Sequence, residues 1–224
     1  MKVTATFALA SALAFSADAS TFNVRVRNLT FLQPFSPPLI VAHTNDVSLF
    51  KEAFPATEAL QIMAENGDNS ALLELAASPD VAPYICGAVA AEAPVGPGGT
   101  WRGVLEVDDT VCPDPVYSVV SMLVNTNDAF MGIDAADLVT SPIKEFPPAF
   151  DAGTENNNED CEYIPGPACD MESGNLSESE GAEGFIHIAR GFHGIGPVLR
   201  EERYDWRNPV AEVFITYQPD APVV

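Results

Sequence analysis

The residues with the most obvious chemistry are carboxylates. Between Asp151 and Glu183 there are ten acidic residues and no lysine or arginine. Glycine, proline, asparagine and serine punctuate the stretch, so it reads as loop. A hard cation such as calcium takes six to eight oxygens from carboxylates, carbonyls and water, held on loops. Asp128 lies upstream, in the polar turn Asn125-Thr-Asn-Asp128 that ends the apolar run Val116–Val124. A strand end can hold such a carboxylate at a fixed position, and Asp151 and Glu155 are expected in a second loop. Asp151 to Glu162 has the length of a helix–loop–helix calcium loop, but Asn156 stands at its sixth position where glycine is required, and the flanks are not helical. The alternative reading of Asp128 and Asp151 is turn capping, a common task for aspartate.

Other chemistries find less support. The three histidines, His43, His187 and His193, do not form a His-Glu-x-x-His helix, and no Gly-x-Ser-x-Gly elbow is present. Paired carboxylates for sugar hydrolysis exist in number, but no spacing selects a pair. Gly96-Pro-Gly-Gly99 lacks the spaced glycines and lysine of a phosphate loop and reads as a turn. Ten basic residues against 32 acidic ones exclude nucleic-acid binding, which needs clustered lysine and arginine. Such a surface suits cations or solubility in salt, and screening its self-repulsion should raise the melting temperature between low and moderate sodium chloride.

Residues 1–19 have the pattern of a signal peptide: Lys2, an apolar core from Phe7 to Phe15, and the small-x-small site Ala17-Asp-Ala19. The apolar core is too short to cross a bilayer, and no later segment is long and apolar enough. The expected product is a secreted, extracellular chain, residues 20–224, forming one domain. Export permits disulfides. The four cysteines allow three connectivities; the favoured one joins Cys161 to Cys169 within one loop and Cys86 to Cys112. Zinc is disfavoured for them, because no Cys-x-x-Cys pair occurs.

The elements that must position the carboxylates are mostly strands. Val116–Val124 is long, valine-rich and free of charge, which predicts a strand buried on both faces. Phe22, Val24 and Val26 alternate with polar residues, and Leu39–Ala42 forms a second short strand. Trp101, Gly103, Leu105 and Val107 share one face of a further strand. Short strands are expected near Leu138 and from Ile143 to Phe146. Phe185–Arg190 is expected as a strand with Ile186 and Ile188 inward and His187 opposite. Ala211, Val213 and Ile215 mark the closing strand. Helical periodicity appears only between Leu49 and Ala77. There Leu60, Met63 and Ala64 share one face, Asn66-Gly67 is a stop, and Leu72, Leu75 and Ala76 form the buried side of a second helix. These helices are expected to cover a sheet edge or end. Short strands, turns and one helical insertion together predict an antiparallel β-sandwich.

Ser118–Ile133 and Asp151-Ala-Gly-Thr-Glu155 resemble the two signature blocks of the spondin domain, found in the matrix protein F-spondin and alone in secreted bacterial proteins. Asn28–Leu39 and Asp205-Trp-Arg-Asn-Pro-Val210 extend the resemblance over nearly all of the expected mature chain. The resemblance implies a sandwich similar to calcium-dependent lipid-binding modules. It also implies calcium held by one aspartate of the first block and two of the second, here Asp128, Asp151 and Glu155. Glutamate at 155 departs from the animal pattern, and its extra methylene moves the ligand oxygens by about an ångström or more.

The resulting expectation is a non-enzymatic, calcium-binding module for extracellular recognition or adhesion. Its partner would be matrix, a surface polymer or a cell-surface component, with peripheral membrane contact left open. Two other readings are a structural protein of an acidic extracellular layer with dispersed cation binding, and a carboxylate-dependent glycan hydrolase.

Overall fold

The computed structural model describes residues 19–169 and 177–219. The signal peptide expected over residues 1–19 therefore lies outside them but for Ala19. Ten strands form two antiparallel sheets. The smaller contains β4 (Thr100–Asp108), β1 (Ala19–Asn28), β10 (Ala211–Gln218) and β7 (Ile143–Glu145), in that spatial order. The larger runs β3 (Ile85–Ala90), β2 (Leu39–His43), β5 (Val116–Met122), β6 (Ala129–Asp137), β8 (Ala149–Asp151) and β9 (His187–Ile188). The mainly-β sandwich is thus as the strand patterns predict.

The period-two rule accounts for the inner layer. Phe22, Val24 and Val26 of β1, Leu105 and Val107 of β4, and Val213 and Ile215 of β10 meet Ile40, Tyr117, Val119 and Met131 of the larger sheet. Fully burying side chains of this size contributes about 1.5–3 kcal/mol each. The strand β5 is buried at every residue, because the larger sheet is covered on both faces. Val120 and Met122 point away from the smaller sheet into a second core with Leu39, Phe130, Phe150, Leu60 and Met63. The latter two belong to α1 (Glu58–Asn66), which is followed by α2 (Ser70–Ala76). The helices therefore cover the outer face of the larger sheet, rather than the edge or end that the sequence suggests.

The stop expected at Asn66-Gly67 delimits α1, and a threonine cap begins it. Thr57 caps it by accepting from the Leu60 N–H, and Gly67 ends it with φ 68°, donating its N–H to the Met63 carbonyl. A side chain at 67 would also strike Ser36, whose Cβ would lie 2.7 Å from the added carbon. The serines inside the doubly covered strand are satisfied within the protein, whereas the buried Tyr117 hydroxyl has no partner among the described residues. Ser121 donates to the Ser36 carbonyl, and Ser118 meets the His43 imidazole and accepts from the Ala135 N–H.

Four expectations need correction. Leu75 is 41% exposed, because α2 is too short to lay two turns on the sheet and only Leu72 is buried. Leu138 forms no strand; it is buried just beyond β6, its N–H donating to the Pro115 carbonyl. Asp151 is not a loop residue but the last residue of β8. The strand expected over Phe185–Arg190 shortens to β9, in which Ile188 is 39% exposed because β9 is the outermost strand. Both disulfides form with the favoured pairing, Cys86–Cys112 and Cys161–Cys169. The first lies beside the inner core and the second closes a turn in the acidic loop.

Candidate metal centre

The carboxylates gather at one end of the larger sheet, for a reason that lies in strand register. The strands β6 and β8 are antiparallel and Ala129 pairs with Asp151. The residue before β6, Asp128, and the last residue of β8 therefore emerge side by side. The chain then turns sharply at Gly153, with φ 67°. An added Cβ there would lie 2.3 Å from the Phe185 carbonyl oxygen, so only glycine lets the 183–186 segment approach. That segment is anchored by the Gly184 N–H to the Gly153 carbonyl and by Ile186 pairing its backbone with Ala53 and Phe54.

Asp128 organises the turn with one oxygen only. Its Oδ2 accepts from the Thr154 N–H (2.8 Å), the Thr154 hydroxyl (3.1 Å) and the Glu155 N–H (3.1 Å). Asp151 accepts the Gly153 N–H at 2.8 Å on Oδ1 and the Asn157 amide at 2.7 Å on Oδ2. These are the turn-capping bonds expected of aspartate. They leave a remainder: Asp128 Oδ1 and Glu155 Oε2 are sealed from solvent and have no partner. Asp128, Asp151 and Glu155 are 0%, 4% and 1% exposed. Among the described residues, no lysine or arginine nitrogen lies within 4.0 Å of any of them.

Charge is accordingly disfavoured at all three. Burial pushes Asp128 up to about 7, with the Asp151 charge adding to it and the Thr154 and Glu155 donors opposing. Burial likewise raises Glu155 to about 8, helped by Glu65 and Asp128 and opposed by Ser177 and a backbone donor at Glu178. Asp151 is also raised, by burial above all, against the Asn157 and Gly153 hydrogen bonds and the His187 imidazole.

The sheet end also brings in residues that the sequence did not single out as ligands. Among the described residues, one group of three has ligand atoms all within 4.8 Å of one another: Asp151, Glu183 and His187. Asp128 and Glu155 are not members of this group, although the charges of Asp128 and Asp151 interact. His187 faces Asp151 directly across the β8–β9 pair. Glu183 stands at the loop's return, where Asn157 donates to its Oε1 at 3.3 Å while also holding Asp151. The only signal in the sequence was the alternation that sets His187 opposite Ile186. The acidic run offered no means of choosing Glu183 over its neighbours.

A cavity of about 220 Å³ opens beside the group, with Asp151, Asn157, Glu183, Arg190, His193 and Trp206 in its walls. Fold and site together define a disulfide-bonded β-sandwich module with an acidic end. The family model Spondin_N matches residues 25–157, more than half of the chain, and the chain belongs to that family. Asp128, Asp151 and Glu155 fall within the matched residues, and Glu183 and His187 beyond them. No curated protein matches the chain. The family and the two disulfides point to an extracellular protein, and no described helix is long and apolar enough to cross a membrane.

Proposed function

We propose that this chain is a secreted, non-enzymatic spondin-like module that binds calcium through Asp128, Asp151 and Glu155 and uses the same end of the sandwich for extracellular recognition. The observation that carries the reading is the pair of orphaned buried oxygens, Asp128 Oδ1 and Glu155 Oε2, with Asp128 close enough to both Asp151 and Glu155 for their charges to interact. Leaving a buried acceptor unpaired costs about 1–3 kcal/mol, more when it is charged, and a divalent cation would reverse that penalty. Oxygen donors alone, on a loop that can adjust, suit calcium over softer metals. The bound ion would supply positive charge at the rim of the cavity, where Arg190 and Trp206 offer further contacts to a polar polymer. Matrix, a surface polymer or another cell-surface component fits this chemistry.

Calorimetry tests the proposal. One calcium should bind the wild type, and Asp128→Asn should abolish that event. The net charge of −22 favours one competing account, a polyelectrolyte layer protein. That account predicts many weak calcium ions, with Asp128→Asn removing no more than its share. A screen of glycans and lipid vesicles, with calcium and with chelator, would then identify the partner class.

A further inference from the structure

We propose that Asp151, Glu183 and His187 form a second metal site, for a divalent transition metal of the zinc type. The three residues arrive from two strands and a loop, and the fold brings Asp151 to Glu183 and His187 across more than thirty positions of chain. The β8–β9 register sets His187 opposite Asp151, with Nδ1 3.9 Å from Asp151 Oδ1. Ligand atoms of all three lie within 4.8 Å of one another, about twice a metal–ligand bond. Two further observations mark the group as a receiving site rather than a patch of acids. Glu183 Oε2 and His187 Nε2 are both closed to solvent and both lack a partner.

The second shell is in place. Nδ1, the nitrogen that faces Asp151, also lies 3.3 Å from the Phe185 carbonyl, which holds the ring beside the carboxylates, and the neutral imidazole keeps one lone-pair nitrogen for a metal. The Asn157 amide holds Asp151 and Glu183 together from behind. Donor chemistry decides the metal. Calcium takes oxygen, whereas imidazole with carboxylates suits zinc and its neighbours. Three protein ligands leave a coordination position open, and the cavity lined by Asp151 and Glu183 can supply water or a partner's donor to fill it. The site needs neither Asp128 nor Glu155 but shares Asp151 with the calcium reading, so the two are told apart by the ligands that each has alone.

The test is a zinc titration of metal-stripped protein in saturating calcium, followed by calorimetry. Wild type should bind one zinc, and His187→Gln should weaken it by at least about tenfold. Glu183→Gln, on the loop and outside the strand pairing, should weaken it likewise and guards against a variant that loses β9. His193→Ala, which leaves all three ligands in place, should bind zinc as wild type does, and calcium should still bind His187→Gln and Glu183→Gln one to one. Zinc binding that survives both His187→Gln and Glu183→Gln, or is lost in His193→Ala instead, would overturn the assignment.

Discussion

Glu155 and Glu159 stand four residues apart in one loop, and both are buried, at 1% and 5% exposure. Their surroundings are opposite. Glu159 is satisfied at both oxygens by backbone donors of the 191–196 segment, the His193 N–H at 2.5 Å and the Ile195 N–H at 2.7 Å. Its own N–H donates to Asn127. Glu155 keeps one oxygen orphaned, and burial holds its proton on up to about pH 8. Glu159 is a pin between two loops; Glu155 is left with an unpaired oxygen. What separates a structural acid from a functional one is therefore the supply of donors, not burial or charge.

The largest effect should come from removing the pin. Glu159→Ala loses two hydrogen bonds to a charged group, each worth about 1.5–3 kcal/mol, so urea denaturation should show a loss of about 3 kcal/mol. The loss should be the same with calcium and with chelator. A loss seen only with calcium would make Glu159 a ligand and erase the contrast. Calcium itself comes next: at a hundredfold excess over its dissociation constant it should stabilise the wild type by about 2.7 kcal/mol. Glu159→Ala should keep that increment and Asp128→Asn should lose most of it. Asp128→Asn should not lower stability in chelator, because it removes a buried charge while retaining an acceptor for Thr154 and Glu155. If the turn-capping bonds were the whole role of Asp128, the reverse pattern would appear.

Smaller effects sharpen the same contrast. Glu155→Asp draws the orphaned oxygen back by one methylene and should tighten calcium by up to about tenfold, or about 1.4 kcal/mol. Weaker binding would show that the longer side chain fits this turn. Glu65→Gln removes a like charge that raises Glu155. Its effect on calcium affinity should be a few tenths of a kcal/mol, in the range of exposed charge pairs. The Glu155 carboxyl should titrate at lower pH in that variant, as carboxyl-resolved NMR would show.

Much of this arrangement is legible in the sequence where the physics is local. Alternation in β1 and β10, the uninterrupted run of β5 and the Gly67 stop of α1 follow from composition and spacing, and the favoured one of three disulfide connectivities is the one that forms. The position of Asp128 at a strand end also follows. What escapes is register between segments distant in the chain. Nothing in the sequence pairs His187 with Asp151, because a two-residue edge strand has no pattern of its own. The donors that neutralise Glu159 come from 34 and 36 residues away. Leu75 shows the opposite failure: its helical spacing was right, but the sheet beneath α2 gives cover to Leu72 alone.

The central claim is that the Asp128 and Glu155 carboxylates are buried in want of a cation, and the pH dependence of apo stability addresses it most directly. Unfolded, they titrate near the ordinary values of about 3.9 and 4.3. Folded, they hold their protons up to about 7 and about 8. Across that window the folded state binds more protons than the unfolded one, so stability must fall as pH rises and level off above it. Urea denaturation in chelator, from about pH 5 to about pH 9, should therefore show wild type losing more stability than Asp128→Asn. Saturating calcium should flatten the wild-type curve by displacing the protons, with proton release on binding near neutral pH, whereas Asp128→Asn, which binds no calcium, keeps its own slope. Parallel curves for the two proteins in chelator would contradict the account.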